Sequence, residues 1–260
     1  MIDLFSLVQD QVAVFLLVFV RVSGIFFLTP VYGSRNVPGH VKVALGLAVT
    51  YILYPMVYQP GIPIPEQWLP YLFLVASEFV AGMIIGFVSS LVFTSIQMCG
   101  QILDTQIGFG IVNVIDPQSG NQVPLVGNFL YILAIMVFLA LNGHHVVLGA
   151  LVASFKLIPM TGVIFNAAIS QFVVGLMKGI FLIAIQISLP VLASLLLIDI
   201  SLGILSRTMP QMNIFIVGVP AKIFAGIFVL SLVLPFYIFF LEKAFNGMYK
   251  NVYDVLSIFG

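Results

Sequence analysis

The chain has 260 residues, 62% of them hydrophobic and only 7% charged, and its nine basic and nine acidic side chains cancel. A soluble domain covers itself with roughly 25% charged residues, so an ordinary soluble protein is excluded; an integral membrane protein, or a subunit buried in an assembly, is expected. Zero net charge removes any electrostatic pull toward nucleic acid, and the lone Cys99 allows neither an internal disulfide nor a cysteine-built zinc site.

Six apolar blocks follow one another: Gln11–Leu28, Val41–Tyr58, Leu69–Met98, Pro124–Leu141 with its continuation Val146–Ile158, Ala168–Ile198, and Ile223–Leu241. No basic stretch precedes the first block, Asp3 and Asp10 flank its start, and no small-residue cleavage site follows, so the block itself is expected to insert. About 20 helical residues cross a bilayer core. Blocks one, two and six fit one crossing each; the third and fifth are too long for one upright span. Pro190 is placed to divide or kink the fifth, and the Asn142-Gly143-His144-His145 turn divides the fourth into a long and a short arm. No strand-like alternation appears. The expected fold is an all-α integral membrane protein of helical hairpins, one domain over residues 1–260.

Basic residues orient such a chain poorly. Arg35 and Lys42 place the first loop in the cytoplasm, yet the loop after the third block holds Asp104 and Asp116 without Lys or Arg. The last block has Lys222 before it and Lys243 and Lys250 after it. A simple six-span topology therefore fails the positive-inside rule, and some apolar blocks are expected not to be conventional spans.

Arg21, Glu78, Lys178 and, at a block edge, Asp199 are charges inside apolar sequence. An isolated charge at a helix centre costs roughly 2.5–3.5 kcal/mol on insertion scales, so each is expected to face protein or water and find a partner. Two uses are compatible with the pattern: a proton or ion relay, or structural pairs that fix helix registry. Glu78, Gly82 and Gly86 share one helix face, and Gly175 and Gly179 frame Lys178; small residues at such spacing let helix backbones approach closely. A Glu78–Lys178 pair is the conjecture these two patterns suggest.

Two loop segments stand apart. In the first, Gln106 and Ile107 lead into Gly108, Phe109 and Gly110; Ile111, Val112, Asn113, Val114 and Ile115 follow, and Asp116-Pro117 signals a turn. Glycine mobility beside bulky aliphatics suits a plug in a water-filled pore; a plain interhelical turn is the alternative. The second segment runs from Arg207 to Lys222, where Pro210 and Pro220 are expected to stop helices around Gln211 and Asn213. Enzyme signatures such as H-E-x-x-H, G-x-S-x-G and the phosphate-binding loop are absent. His144 and His145 are adjacent, about 100° apart on a helix and so a poor metal pair. No cofactor or metal is expected.

The chain resembles the FliR family, the export-gate subunit of bacterial flagella, related to a subunit of virulence type III secretion systems. The resemblance rests on Arg21-x-Ser23-Gly24 leading to Pro30, Val37-Pro38 with Lys42, and Glu78 with Gly82 and Gly86. It continues through Gly100, Asp104, Gln106, Gly108, Asp116-Pro117-x-Ser119, Asn142-Gly143-His144, Ser154 and Leu189-Pro190. Asp199, Arg207, Pro210-Gln211-x-Asn213 and Val217-Gly218-x-Pro220-x-Lys222 complete it. The resemblance implies a non-enzymatic channel subunit of the bacterial inner membrane, in the flagellar basal body, passing unfolded flagellar proteins. It implies assembly with FliP and FliQ into a closed helical spiral, with FlhB at the cytoplasmic entrance and FlhA nearby. Much apolar surface would then leave the bilayer plane and be buried between subunits. A loop after the third block would plug the closed channel, here about Gln106 to Gln122; Arg21, Glu78, Lys178 and Asp199 would serve assembly, and Arg207 to Lys222 would form a cytoplasm-facing turn. A virulence-system subunit, a secondary ion or solute transporter using Glu78 and Asp199, and a purely structural scaffold are the competing expectations.

Overall fold

A computed structural model describes residues 4–34, 36–58, 62, 64–65, 67–109, 124–162, 167–209, 211 and 213–259. The described residues form seven helices and no strand: α1 Leu4–Leu28, α2 Gly39–Val57, α3 Trp68–Ile107, α4 Leu125–Ala140, α5 Gly143–Leu157, α6 Ala167–Thr208 and α7 Ile214–Phe259. Helix is the structure that satisfies every backbone amide inside its own segment, which an apolar surrounding demands. Five of these helices are long and apolar enough to cross a membrane, and the bent α4–α5 pair adds a sixth if counted as one span.

The apolar blocks mark the helices, but hydropathy misplaces several ends. α3 does not stop at Met98. Ile96, Cys99, Leu103, Asp104 and Ile107 are all buried, a three-and-four spacing that carries one face onward through polar neighbours. The helix ends at Gly108, whose φ of 107° suits glycine alone. α7 likewise continues past Leu241, because Phe245, Met248, Val252, Val255 and Leu256 form a buried stripe beside Glu242, Lys243, Lys250 and Asp254. The overlong blocks are single continuous helices of 40 residues in α3 and 42 in α6, so Pro190 lies within α6 and does not divide it.

The break between α4 and α5 is where the sequence placed it. Asn142 adopts the left-handed conformation, φ 56°, which asparagine tolerates better than most residues.

The chain gathers into two compact units whose boundaries fall inside α3, α6 and α7: Met1–Leu91 with Asn142–Leu176 and Asn246–Gly260, and Val92–Leu141 with Met177–Phe245. In the first, α1 packs along α2, with Phe15 and Tyr54 edge to face at 5.8 Å. In the second, Phe93, Phe138 and Phe245 pack around one another at 5.2–5.4 Å between ring centroids, and the buried Tyr237 hydroxyl donates to the Leu130 carbonyl at 3.1 Å.

Candidate functional site

Arg21 on α1 and Glu78 on α3 are both completely buried. Arg21 Nε donates to Glu78 Oε2 at 2.5 Å. Its Nη1 donates to the carbonyls of Ser154 and Ile158 at 3.1 and 3.0 Å. Those carbonyls lie at the C-terminal end of α5, where a cation is favoured by the helix dipole; the Ser154 carbonyl also accepts the Ile158 amide at 2.9 Å. The guanidinium also lies 4.4 Å from the centre of the Phe155 ring. Glu78 Oε1 accepts the Thr161 amide at 3.4 Å, at a residue with φ 71°. Two charges therefore tie α1, α3 and the end of α5 together.

The backbones come close enough for this because the crossing is built of glycines. A methyl group on Gly24 would lie 2.5 Å from the Phe79 carbonyl oxygen, and one on Gly86 would lie 2.7 Å from that of Ile25. One on Gly82 would overlap the Arg21 carbonyl. The Glu78-Gly82-Gly86 face thus packs as its spacing suggested, but its partner is α1: Glu78 pairs with Arg21, and the conjectured Glu78–Lys178 pair is not formed. Lys178 is exposed and makes no ion pair among the described residues. Among the described residues, Gly175 and Gly179 have nothing within 4 Å of where a side chain would begin.

A second polar centre joins α3 to α4. Asp104 Oδ1 accepts the Val126 amide at 2.9 Å and Oδ2 the Gly127 amide at 3.0 Å. An anion receiving two amides at a helix N-terminus is favoured by both hydrogen bonding and the helix dipole. One turn earlier on α3, Gly100 touches Gly127 so closely that a methyl group would overlap its backbone. Ile107, fully buried, fills the notch left by Gly226 on α7. Both ends of the segment between α3 and α4 are thereby fixed. Asp104 and Gly100 were visible in the sequence as family positions, but nothing local identified Gly127 as their partner.

The remaining expected residues divide as follows. Gln106 and Ile107 belong to the end of α3, and Gly108 and Phe109 to the turn after it. Gly110, Ile111, Val112, Asn113, Val114, Ile115, Asp116 and Pro117 lie outside the described residues. Arg207 sits in the last turn of α6. Gln211 is exposed in the turn, Asn213 immediately precedes α7, and Pro210 lies outside the described residues. Pro220 does not stop a helix: α7 begins at Ile214 and runs through both Pro220 and Lys222. One missing amide hydrogen costs less here than ending the helix would, because further backbone groups would be left unpaired in apolar surroundings. Lys222 Nζ instead reaches back to Asp199 on α6, 2.8 Å from Oδ1 and 2.9 Å from Oδ2, which clamps the two arms of a hairpin.

His144 and His145 begin α5 with ring centroids 4.1 Å apart. Tyr32, whose phenol is pushed above its ordinary pKa by burial, donates to the His144 carbonyl at 3.3 Å. Among the described residues no cluster of three or more His, Cys, Asp or Glu could hold a metal ion.

Comparison with known proteins matches residues 12–248 to the family described as bacterial export proteins, family 1. The chain is 34% identical to the flagellar biosynthetic protein FliR of Bacillus subtilis, covering 96% of this chain and 97% of that one. It is 31% identical to FliR of Pectobacterium carotovorum, over 92% and 91% of the two chains, and 28% identical to FliR of Escherichia coli, over 91% and 90%. With a family match over nearly its whole length and a relative above 30% identity, the chain belongs to the FliR family of bacterial export proteins.

Proposed function

We propose that this chain is a non-enzymatic subunit of the flagellar protein export gate, seated in the bacterial inner membrane within the basal body. Its similarity to FliR proteins over more than nine-tenths of both chains supports a flagellar role. The geometric observation that carries the reading is how its charges are used. Arg21 and Glu78 are bound to each other and to backbone groups, and Asp199 is bound to Lys222. A carrier would need such groups free to exchange a proton or ion near the midplane; here they hold helices together. That is the chemistry of a frame around a path.

In this reading FliP and FliQ complete the channel, FlhB and FlhA deliver substrate at its cytoplasmic side, and unfolded flagellar proteins pass through, driven largely by the proton gradient. The segment from about Gln106 to Gln122 is the plug. Its support is its place in the chain, between the ends of α3 and α4 that the Asp104 clamp holds together. Lys178, with Gly175 and Gly179 uncovered on α6, is assigned to packing against a neighbouring subunit.

The test is deletion of Gly108–Asn113 in cells that also express FliP and FliQ, reading ion leak, motility and complex assembly. Leak with assembly intact is expected. Assembly without leak would remove the plug assignment.

A further inference from the structure

Between α1 and α2 lies a groove of about 520 Å3, lined by Phe19, Phe26, Phe27, Val43 and Gly46, with Lys42 at its end. It runs from Phe19 to Phe27 along α1, about 12 Å at 1.5 Å per residue, close to the depth of one leaflet of a ~30 Å core. Its outer wall is open: Phe27 is 68% exposed and Val43 53%. Its lining is greasy along the sides and cationic at one end. Lys42 Nζ donates to the Gly33 carbonyl at 3.0 Å, which holds the ammonium at the mouth and leaves two of its three donors for another acceptor.

The sequence that builds this groove carries no acidic residue. No Asp or Glu occurs between Asp10 and Glu66, a stretch that holds Arg21, Arg35, His40 and Lys42. Arg21 is committed to Glu78, which leaves Lys42, in the first turn of α2, as the cation at this groove, with no ion pair among the described residues. Basic residues at a span's end mark the cytoplasmic side, where the leaflet is rich in anionic lipid. None of the pairings that hold α1 to α3 and α5 uses this groove.

We propose that the α1–α2 groove is a binding site for one anionic phospholipid of the cytoplasmic leaflet. The acyl chain lies along Phe19, Phe27 and Val43, and the phosphate meets Lys42. Gly46 keeps the inner end of the groove open, since even a methyl there would meet the Phe19 ring at 3.3 Å.

The experiment uses the full-length chain purified from membranes together with whatever subunits accompany it, stripped of lipid by detergent exchange. It is offered equal amounts of dioleoylphosphatidylglycerol and dioleoylphosphatidylcholine, and native mass spectrometry counts what is retained. The expected result is one phosphatidylglycerol per chain, favoured at least five-fold. Lys42→Ala abolishes the preference and Lys42→Arg keeps it. Val43→Trp, which fills the groove and leaves Lys42 in place, removes retained lipid of either kind. In cells, a photoreactive benzoylphenylalanine in place of Phe27 forms adducts with phospholipid. Equal retention of the two lipids, an unchanged preference in Lys42→Ala, or Phe27 adducts to a protein subunit would each overturn the proposal.

Discussion

Arg21 and Glu78 meet where neither side chain is accessible, whereas Lys222 and Asp199 meet with side chains 20% and 45% exposed. The chemistry is the same, and the consequences differ. The buried pair has given up its hydration, and it is held because the guanidinium also satisfies two carbonyls at the end of α5 while the carboxylate also satisfies an amide. The exposed pair gains only what attraction between partly solvated groups can give. One is a joint of the fold; the other is a clasp near the tip of a hairpin.

The largest effect expected from this contrast follows from breaking the buried pair. Glu78→Ala leaves Arg21 charged and unpaired, a loss of about 3–5 kcal/mol, read as loss of the chain from membranes or a large drop in melting temperature in detergent. Exchanging the charges, Arg21→Glu with Glu78→Arg, should fail to rescue, because a carboxylate at position 21 cannot donate to the Ser154 and Ile158 carbonyls. Full rescue would show that the pair acts by charge alone.

A smaller effect separates the two glycine pairs. Gly82→Ala forces a methyl group against the Arg21 carbonyl and should cost about 1–3 kcal/mol. Gly175→Ala meets nothing and should stabilise α6 in the isolated chain by up to about 1 kcal/mol. Thermal melts of the two variants side by side test the assignment, and equal destabilisation would contradict it. The smallest effect is expected for Asp199→Ala, within about 1 kcal/mol; a loss as large as that of Glu78→Ala would mean that the hairpin clasp is buried by neighbouring subunits.

What the sequence made legible follows from the range of each interaction. Block positions, the bend at Asn142 and the unusual status of Arg21, Glu78 and Asp199 could all be read locally, because each is a departure from its apolar neighbourhood. Pairing could not: Arg21 and Glu78 are 57 positions apart, and glycine spacing says that a helix face is smooth without saying what lies against it. Gly175 and Gly179 show the limit of that signal, since the same spacing as Gly82 and Gly86 meets nothing among the described residues. Helix ends were lost for a different reason. A hydropathy run stops at the first cluster of polar residues, whereas the buried stripes of α3 and α7 persist through Gln101 and Asp104, and through Lys243 and Lys250. Pro220 misled because proline is a stronger breaker in water, where freed amides find solvent, than in apolar surroundings.

The length of α3 bears on how the chain can occupy a bilayer. Forty residues span about 60 Å, and fitting that length into a ~30 Å core by tilt alone would require about 60° from the normal, beyond the 0–40° that membrane helices adopt. Local thickening of the bilayer cannot absorb so large a mismatch, since its cost grows with every ångström. The excess of α3, and of the longer α6 and α7, must therefore stand outside the hydrocarbon, where apolar side chains need protein as their cover. For α3 and α7 part of that cover is this chain's own core, in which the stripes past Met98 and Leu241 are buried.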